Sequence, residues 1–185
     1  SATDGRGRIL VLNYPSNPTG LTFRPEELRE LAKVARAHDV LVLSDEIYGE
    51  LHHKGQHASI AKYYPEGTII SGGLSKWLGA GGGRLGTFVF PQELEAVREA
   101  MAAVASETYT STSAPISHAA VVAFEGGEDI DRYLSNVRRV LAAVGRQTAR
   151  RLSGLGIACA QPTGGFYVFP DFTPFTEKLA ARGIT

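Results

Sequence analysis

Lys76 follows a stretch of small residues, Ser71-Gly72-Gly73-Leu74-Ser75, and Arg84 follows a second glycine run eight positions later. Asn17 lies in Asn13-Tyr14-Pro15-Ser16-Asn17-Pro18-Thr19-Gly20, and Asp45 and Tyr48 lie in Ser44-Asp45-Glu46-Ile47-Tyr48. These three segments offer an amide, a carboxylate, a phenol, an amine and a guanidinium. A lysine amine can condense with a carbonyl to form a Schiff base. A carboxylate can pair with a heteroaromatic nitrogen and keep that ring an electron sink. An amide and a phenol can donate to a ring oxygen, and an arginine with backbone N–H groups can hold a phosphate. A pyridoxal 5'-phosphate (PLP) site needs this whole set.

For these groups to meet, three turns must come together. Ile9-Leu10-Val11-Leu12 reads as a short buried strand that breaks at the dense turn signal of residues 14–20. The next segment predicts a helix. Pro25 suits its first turn, Glu26 and Glu27 suit the positive end of its dipole, and Leu28, Leu31 and Ala35 form an apolar stripe. Further apolar runs are Val40-Leu41-Val42-Leu43, Thr68-Ile69-Ile70 and residues 85–90. Strands apolar on both faces, with a helix between the first two, predict an α/β fold with a mostly parallel sheet and helices on both faces. The link from Leu43 to Thr68 is long enough for a crossover. The link from Ile70 to Leu85 is rich in glycine and is not expected to hold a full helix, so the strand near Phe88 is expected to run antiparallel to three parallel neighbours. Ligands of such a sheet bind beyond the carboxyl ends of its strands. Asn17, Asp45, Tyr48 and the 71–84 segment all fall there.

The second half reads as helical. Leu94, Val97, Met101 and Val104 give one stripe and residues 116–124 another. Ile130, Leu134, Val137, Leu141, Val144, Thr148 and Leu152 keep steps of four and three, predicting one long helix to about Gly154. The period then becomes strand-like at Ile157-Ala158-Cys159-Ala160 and Phe166-Tyr167-Val168-Phe169. A last helix is expected from Leu179, capped by Gly183.

In its motifs the chain resembles the class I/II aminotransferases, PLP enzymes of the aspartate aminotransferase fold (fold type I), over almost its whole length. Residues 13–20 resemble the N-P-T-G loop of that family, Asp45-Glu46-Ile47-Tyr48 its D-E-x-Y segment, and Ser75-Lys76 with Arg84-Leu85-Gly86 its S-K-x7-R-x-G motif. Gly164-Gly165-Phe166-Tyr167 is similar to the strand that opens its small domain. The resemblance implies Lys76 as the catalytic Schiff-base lysine, Asp45 as the pyridinium partner, Asn17 and Tyr48 as ring-oxygen ligands, and Ser75 and Arg84 at the phosphate. Gly73 stands where many members place a phosphate-binding serine, so Ser71, Ser75 or a backbone N–H is expected to take that part. Gly83 stands where a tryptophan is frequent, which predicts a looser loop.

The resemblance also implies a domain plan. Residues 1–127 would be part of the PLP-binding large domain, 128–154 an interdomain helix, and 155–185 the truncated start of a small C-terminal domain. The chain is then expected to be an internal fragment, inactive alone, with Ser1-Ala2 an expression remnant. The full-length protein would be a cytoplasmic homodimer moving an amino group between an amino acid and a 2-oxo acid. The same residues would serve a β-lyase, decarboxylase or synthase, or the aminotransferase-like domain of a PLP-responsive transcription regulator.

Composition narrows the alternatives. The 185 residues carry a formal net charge of zero, which argues against nucleic-acid binding and a polybasic membrane anchor. No apolar stretch approaches the ~20 residues of a membrane span. One cysteine, Cys159, excludes an internal disulfide and reads as a small core residue. Gly81-Gly82-Gly83-Arg84-Leu85-Gly86 spells the dinucleotide fingerprint but precedes a strand instead of opening a helix. His52, His53 and His57 read as a solvated loop with no metal. The Ser/Thr run beside Tyr109 is expected to cap the next helix. Asp45 could serve only as a helix cap, and Asn17 only as a turn residue.

Overall fold

In the computed structural model, which describes residues 7–184, Arg8–Asn13 (β1), Val40–Asp45 (β2) and Thr68–Gly73 (β3) are parallel neighbours. Gly86–Val89 (β4) runs antiparallel to β3, giving the order β1-β2-β3-β4. Ser1-Ala2 and Thr185 lie outside the described residues. The register sets Asn13 opposite Asp45 and Asp45 opposite Ser71, so the three turns open at one edge of the sheet.

Pro25–Ala37 (α1) forms the first crossover. The Glu27 carboxylate accepts the Arg24 N–H at 2.8 Å, satisfying a donor at the helix start. Leu28, Ala32 and Ala35 bury against Leu12, Val42, Ile60 and Tyr64. On the opposite face of β1, Ile9 and Val11 stay 65% and 62% exposed, so among the described residues helices do not cover both faces there. The second crossover differs in kind. Its turns are 3-10 (Gly49–Leu51, Ile60–Lys62, Pro65–Gly67), because Leu51 and Ile60 are isolated apolar anchors without a helical stripe between them.

Glu95–Thr108 (α2), Ala114–Glu125 (α3) and Glu128–Gly154 (α4) follow, the last beginning with Glu128, Asp129 and Asp131 at its positive end. Arg138 of α4 donates to the Glu50 carbonyl and pairs with its carboxylate, tying the long helix to the turn after β2. Ser113 precedes α3 but its hydroxyl caps nothing, correcting the expected cap. The final helix is Thr176–Ala180 (α5), three residues earlier than expected, with Gly183 closing the following turn at φ +73°. Among the described residues no helix is long and apolar enough to cross a membrane.

Residues 166–169 do not form the expected strand. The short pair is Ala158–Cys159 (β5) with Pro170–Asp171 (β6), antiparallel. The polar backbone just ahead is committed elsewhere. Thr163 and Gly164 donate to the Gly20 carbonyl at 2.8 and 3.0 Å, and Gly165 donates to Leu51 at 2.9 Å. The chain after α4 thus docks on the loops after β1 and β2. Gly20 makes this possible: its φ is +68°, and a Cβ there would lie 2.4 Å from the Tyr167 carbonyl oxygen.

A carboxylate whose side chain is only 11% exposed pins the end of β2. Glu46 Oε1 accepts from Ser44 Oγ at 2.8 Å, Ser59 Oγ at 2.6 Å and the Tyr14 hydroxyl at 3.3 Å. Its Oε2 meets His57 Nε2 at 2.8 Å, and its backbone N–H donates to Ser71 at 2.9 Å. The Tyr14 hydroxyl in turn accepts the Ile60 N–H at 2.8 Å. Burial pushes the Glu46 carboxyl up, but the hydrogen bonds from His57 and Ser59, the charge of His57 and the Ser44 hydroxyl together hold it below its ordinary value.

Two outcomes follow for the complete protein carrying this chain. Gly20→Ala should cost about 2 kcal/mol or more in denaturant unfolding, since left-handed backbone and a clash with fixed backbone coincide. Glu46→Gln should cost about 3 kcal/mol at neutral pH, because it leaves buried donors without an anion. With the folded carboxyl held low, the wild-type contribution is present above the unfolded pKa and is lost as pH falls through the folded one. The stability gap between wild type and Glu46→Gln should therefore close as pH falls through and below the ordinary carboxylate range.

Candidate active site

Asn13, at the end of β1, joins two of the converging turns. Its Nδ2 donates to Asp45 Oδ2 at 2.9 Å, and its Oδ1 accepts the Asn17 N–H at 2.7 Å. Asp45 Oδ1 also accepts the Ile47 N–H at 3.3 Å. No α-helix starts there, so Asp45 is not a helix cap; it is half-buried at the sheet edge with both oxygens oriented. Asn17 is exposed in its turn.

Tyr48 is buried, with its hydroxyl 2.8 Å from that of Tyr167. The rings of Phe166 and Tyr167 meet it edge-on at 5.4 and 5.6 Å. Burial first, then the Tyr167 hydroxyl and the charge of Asp45, push the Tyr48 phenol well above its ordinary range, while Asn17, facing the same hydroxyl, pulls the other way. Tyr14, whose hydroxyl meets Glu46, is pushed up to about 12 by burial and by that carboxylate. Both phenols keep their protons at neutral pH.

Leu74 and Trp77 anchor in the apolar cluster with Ala120, Ala123 and Leu134, leaving Ser75 and Lys76 half-buried between them. The Lys76 Nζ stands 5.8 Å from the centroid of the Tyr48 ring, within cation–π reach. The glycine loop folds into a 3-10 turn, Gly81–Gly83, closed by Ala80 and Gly83 N–H bonds, and a Cβ on Gly83 would press on Ile116 at 3.3 Å. Gly73 has φ +151°, and a Cβ there would lie 2.5 Å from the Leu85 carbonyl oxygen. No serine fits at that position while β3 and β4 stay paired, which accounts for the departure from the family motif.

Asn17, Asp45, Tyr48 and Lys76 are therefore brought together. Arg84 is not: it is exposed, with its guanidinium donating to the Gly81 carbonyl at 2.9 Å. Its backbone is left-handed, φ +53°, which costs a non-glycine residue about 1 kcal/mol. In kind, the donor set matches PLP. Asp45 could meet a ring nitrogen, Tyr48 and Asn17 a ring oxygen, Lys76 a carbonyl, and Ser75 with Arg84 a phosphate.

Sequence reasoning missed Asn13, Glu46, His57 and Tyr167 as supports of this site. Their residue types were visible, but nothing in their spacing says which buried donor meets which acceptor. The histidines are also not solvated as expected. His57 binds Glu46, and the His53 ring nitrogens lie 3.2 and 2.9 Å from the carbonyl oxygens of Pro162 and Gly165. His52 Nδ1 is buried without a partner. Cys159 is half-buried on β5, not in the core.

A family model described as aminotransferase class I and II matches residues 1–184. The aspartate/prephenate aminotransferase of Thermus thermophilus is 34% identical over 97% of this chain and 48% of its own length. The aspartate aminotransferase of Geobacillus stearothermophilus is 33% identical over 97% of this chain and 45% of its own. Among solved structures, Thermus thermophilus aspartate aminotransferase with maleate superposes with a TM-score of 0.82 at 32% identity, over 96% of this chain and 48% of that one. The aromatic aminotransferase of Pyrococcus horikoshii gives 0.83 at 29%, over 93% and 48%. The chain spans about half the length of the curated relatives it matches. With motifs, fold and family match in agreement, the chain belongs to the class I and II aminotransferase family.

Proposed function

We propose that the protein carrying this chain is a PLP-dependent aminotransferase in which Lys76 is the catalytic residue. The observation that carries this reading is the meeting of Asp45, Tyr48 and Lys76, with Asn17 tied in through Asn13, at the carboxyl ends of β1 to β3. When bound, PLP supplies a carbonyl and an electron-withdrawing ring that acidifies the Cα–H of an amino acid. Asp45, held by Asn13 and the Ile47 N–H, is oriented to keep the ring nitrogen protonated. Tyr48 and Asn17 would donate to the ring oxygen. Ser75 would hold the phosphate, and Arg84 would join it on leaving the Gly81 carbonyl. Lys76 would hold the group through its carbonyl, and its amine, when free of that bond, would carry the Cα proton as general acid–base.

The substrates are an amino acid and a 2-oxo acid. Named relatives act on aspartate, prephenate or aromatic substrates, so the class of reaction is supported and the side chain is left open. We read residues 1–127 as part of the large domain, 128–154 as the interdomain helix and 155–185 as part of the small domain, in a cytoplasmic homodimer.

In the complete protein, Lys76→Ala should lower turnover of amino and 2-oxo acids by at least about 10²–10⁴-fold and leave PLP-loaded protein with only the absorbance of the free aldehyde. Asp45→Ala should keep the wild-type absorbance while slowing proton removal from Cα, read from single-turnover rates with α-deuterated substrate. Near wild-type transamination by Lys76→Ala would remove the assignment.

A further inference from the structure

The pair Tyr48–Tyr167 joins the loop after β2 to the segment after α4, and nothing in the catalytic roles above requires it. The hydroxyls are 2.8 Å apart, so one proton lies between them and the other must point away. If Tyr48 donated to Tyr167, it would have no hydrogen left for the ring oxygen of a cofactor. With Tyr48 donating to that ring oxygen, the single hydrogen between the two hydroxyls must come from Tyr167. Tyr48 is the buried partner, 3% exposed. Tyr167 is half-buried, and its backbone is held by the docking of residues 163–165 on Gly20 and Leu51. The edge-on rings of Phe166 and Tyr167 fix the plane of Tyr48. Other polar or charged groups near the pair are Asn17 and Asp45 from the loops after β1 and β2 and Lys76 from the loop after β3. His53 lines the same small cavity as Tyr167.

We propose that Tyr167 is a positioning residue: it donates its hydroxyl hydrogen to Tyr48 and thereby aims the Tyr48 hydrogen at the ring oxygen of bound PLP. This deepens, and rests on, the assignment of Tyr48 and Lys76 to PLP made above. A donor that itself accepts a hydrogen bond is polarised and donates more strongly. The segment after α4 therefore acts on the cofactor through Tyr48 without touching it.

The test is the pH titration of the visible absorbance of the complete, PLP-loaded protein. A weaker donor to the ring oxygen raises the titration midpoint. Tyr167→Phe keeps the ring contacts and removes only the hydroxyl, and should raise the midpoint by about half a pH unit. Tyr48→Phe should raise it further, and adding Tyr167→Phe to Tyr48→Phe should move it no more. An unchanged midpoint in Tyr167→Phe, or an equal shift in the Tyr48→Phe background, overturns the proposal while leaving the PLP assignment standing. A parent protein whose absorbance with PLP is that of free PLP, or a Lys76→Ala variant with the parent's titration, overturns the PLP assignment and this inference together.

Discussion

The carboxylate of Glu46 is the interaction on which the arrangement of the site depends. Its side chain is largely withdrawn from water, and an anion there is tolerated only when its lone pairs are filled. Tyr14 comes from the turn after β1, Ser44 from β2, and His57 and Ser59 from the second crossover, so satisfying one charge draws three parts of the chain to one point. Asp45 precedes Glu46 and Tyr48 follows two residues later. With Glu46 held, the direction in which both leave the strand is set, and Asn13 then completes the orientation of Asp45.

The second constraint is the return of the chain after α4. Its residues 163–165 spend their backbone donors on Gly20 and Leu51, which removes them from any strand of their own. The contact needs a residue without a side chain at Gly20, in the loop that also carries Asn17. The turn motif therefore has a double use. It presents polar groups at the end of β1, and it offers a bare backbone on which Tyr167 is carried to Tyr48. The glycine loop after β3 follows the same logic: Gly73 is bare because Leu85 lies against it, and the buried anchors Leu74 and Trp77 lift Lys76 toward Tyr48.

Much of this was legible from residue order. Short apolar runs ending in polar turns, with Pro25 and its acidic neighbours opening a helix, specify a mostly parallel sheet because local periodicity and capping act within a few residues. The glycine content of residues 79–86 correctly reversed the direction of β4, since so few side chains cannot support a crossover helix. Lys76, Asp45, Tyr48 and Asn17 stood out because their types and order match one chemistry, and the strands carry them to one edge.

Only the tertiary structure decided the rest. That Phe166-Tyr167-Val168-Phe169 forgoes a strand, that His53 and His57 are structural hydrogen-bonding partners, that the Arg84 guanidinium rests on Gly81, and that Glu46 is a hub all depend on pairings between residues far apart in the chain. Apolar period and turn chemistry are properties of neighbouring residues and can be read in order. The partner of a buried donor or acceptor is chosen by which groups the packed core leaves within about 3 Å, and that distance exists only once the chain has folded.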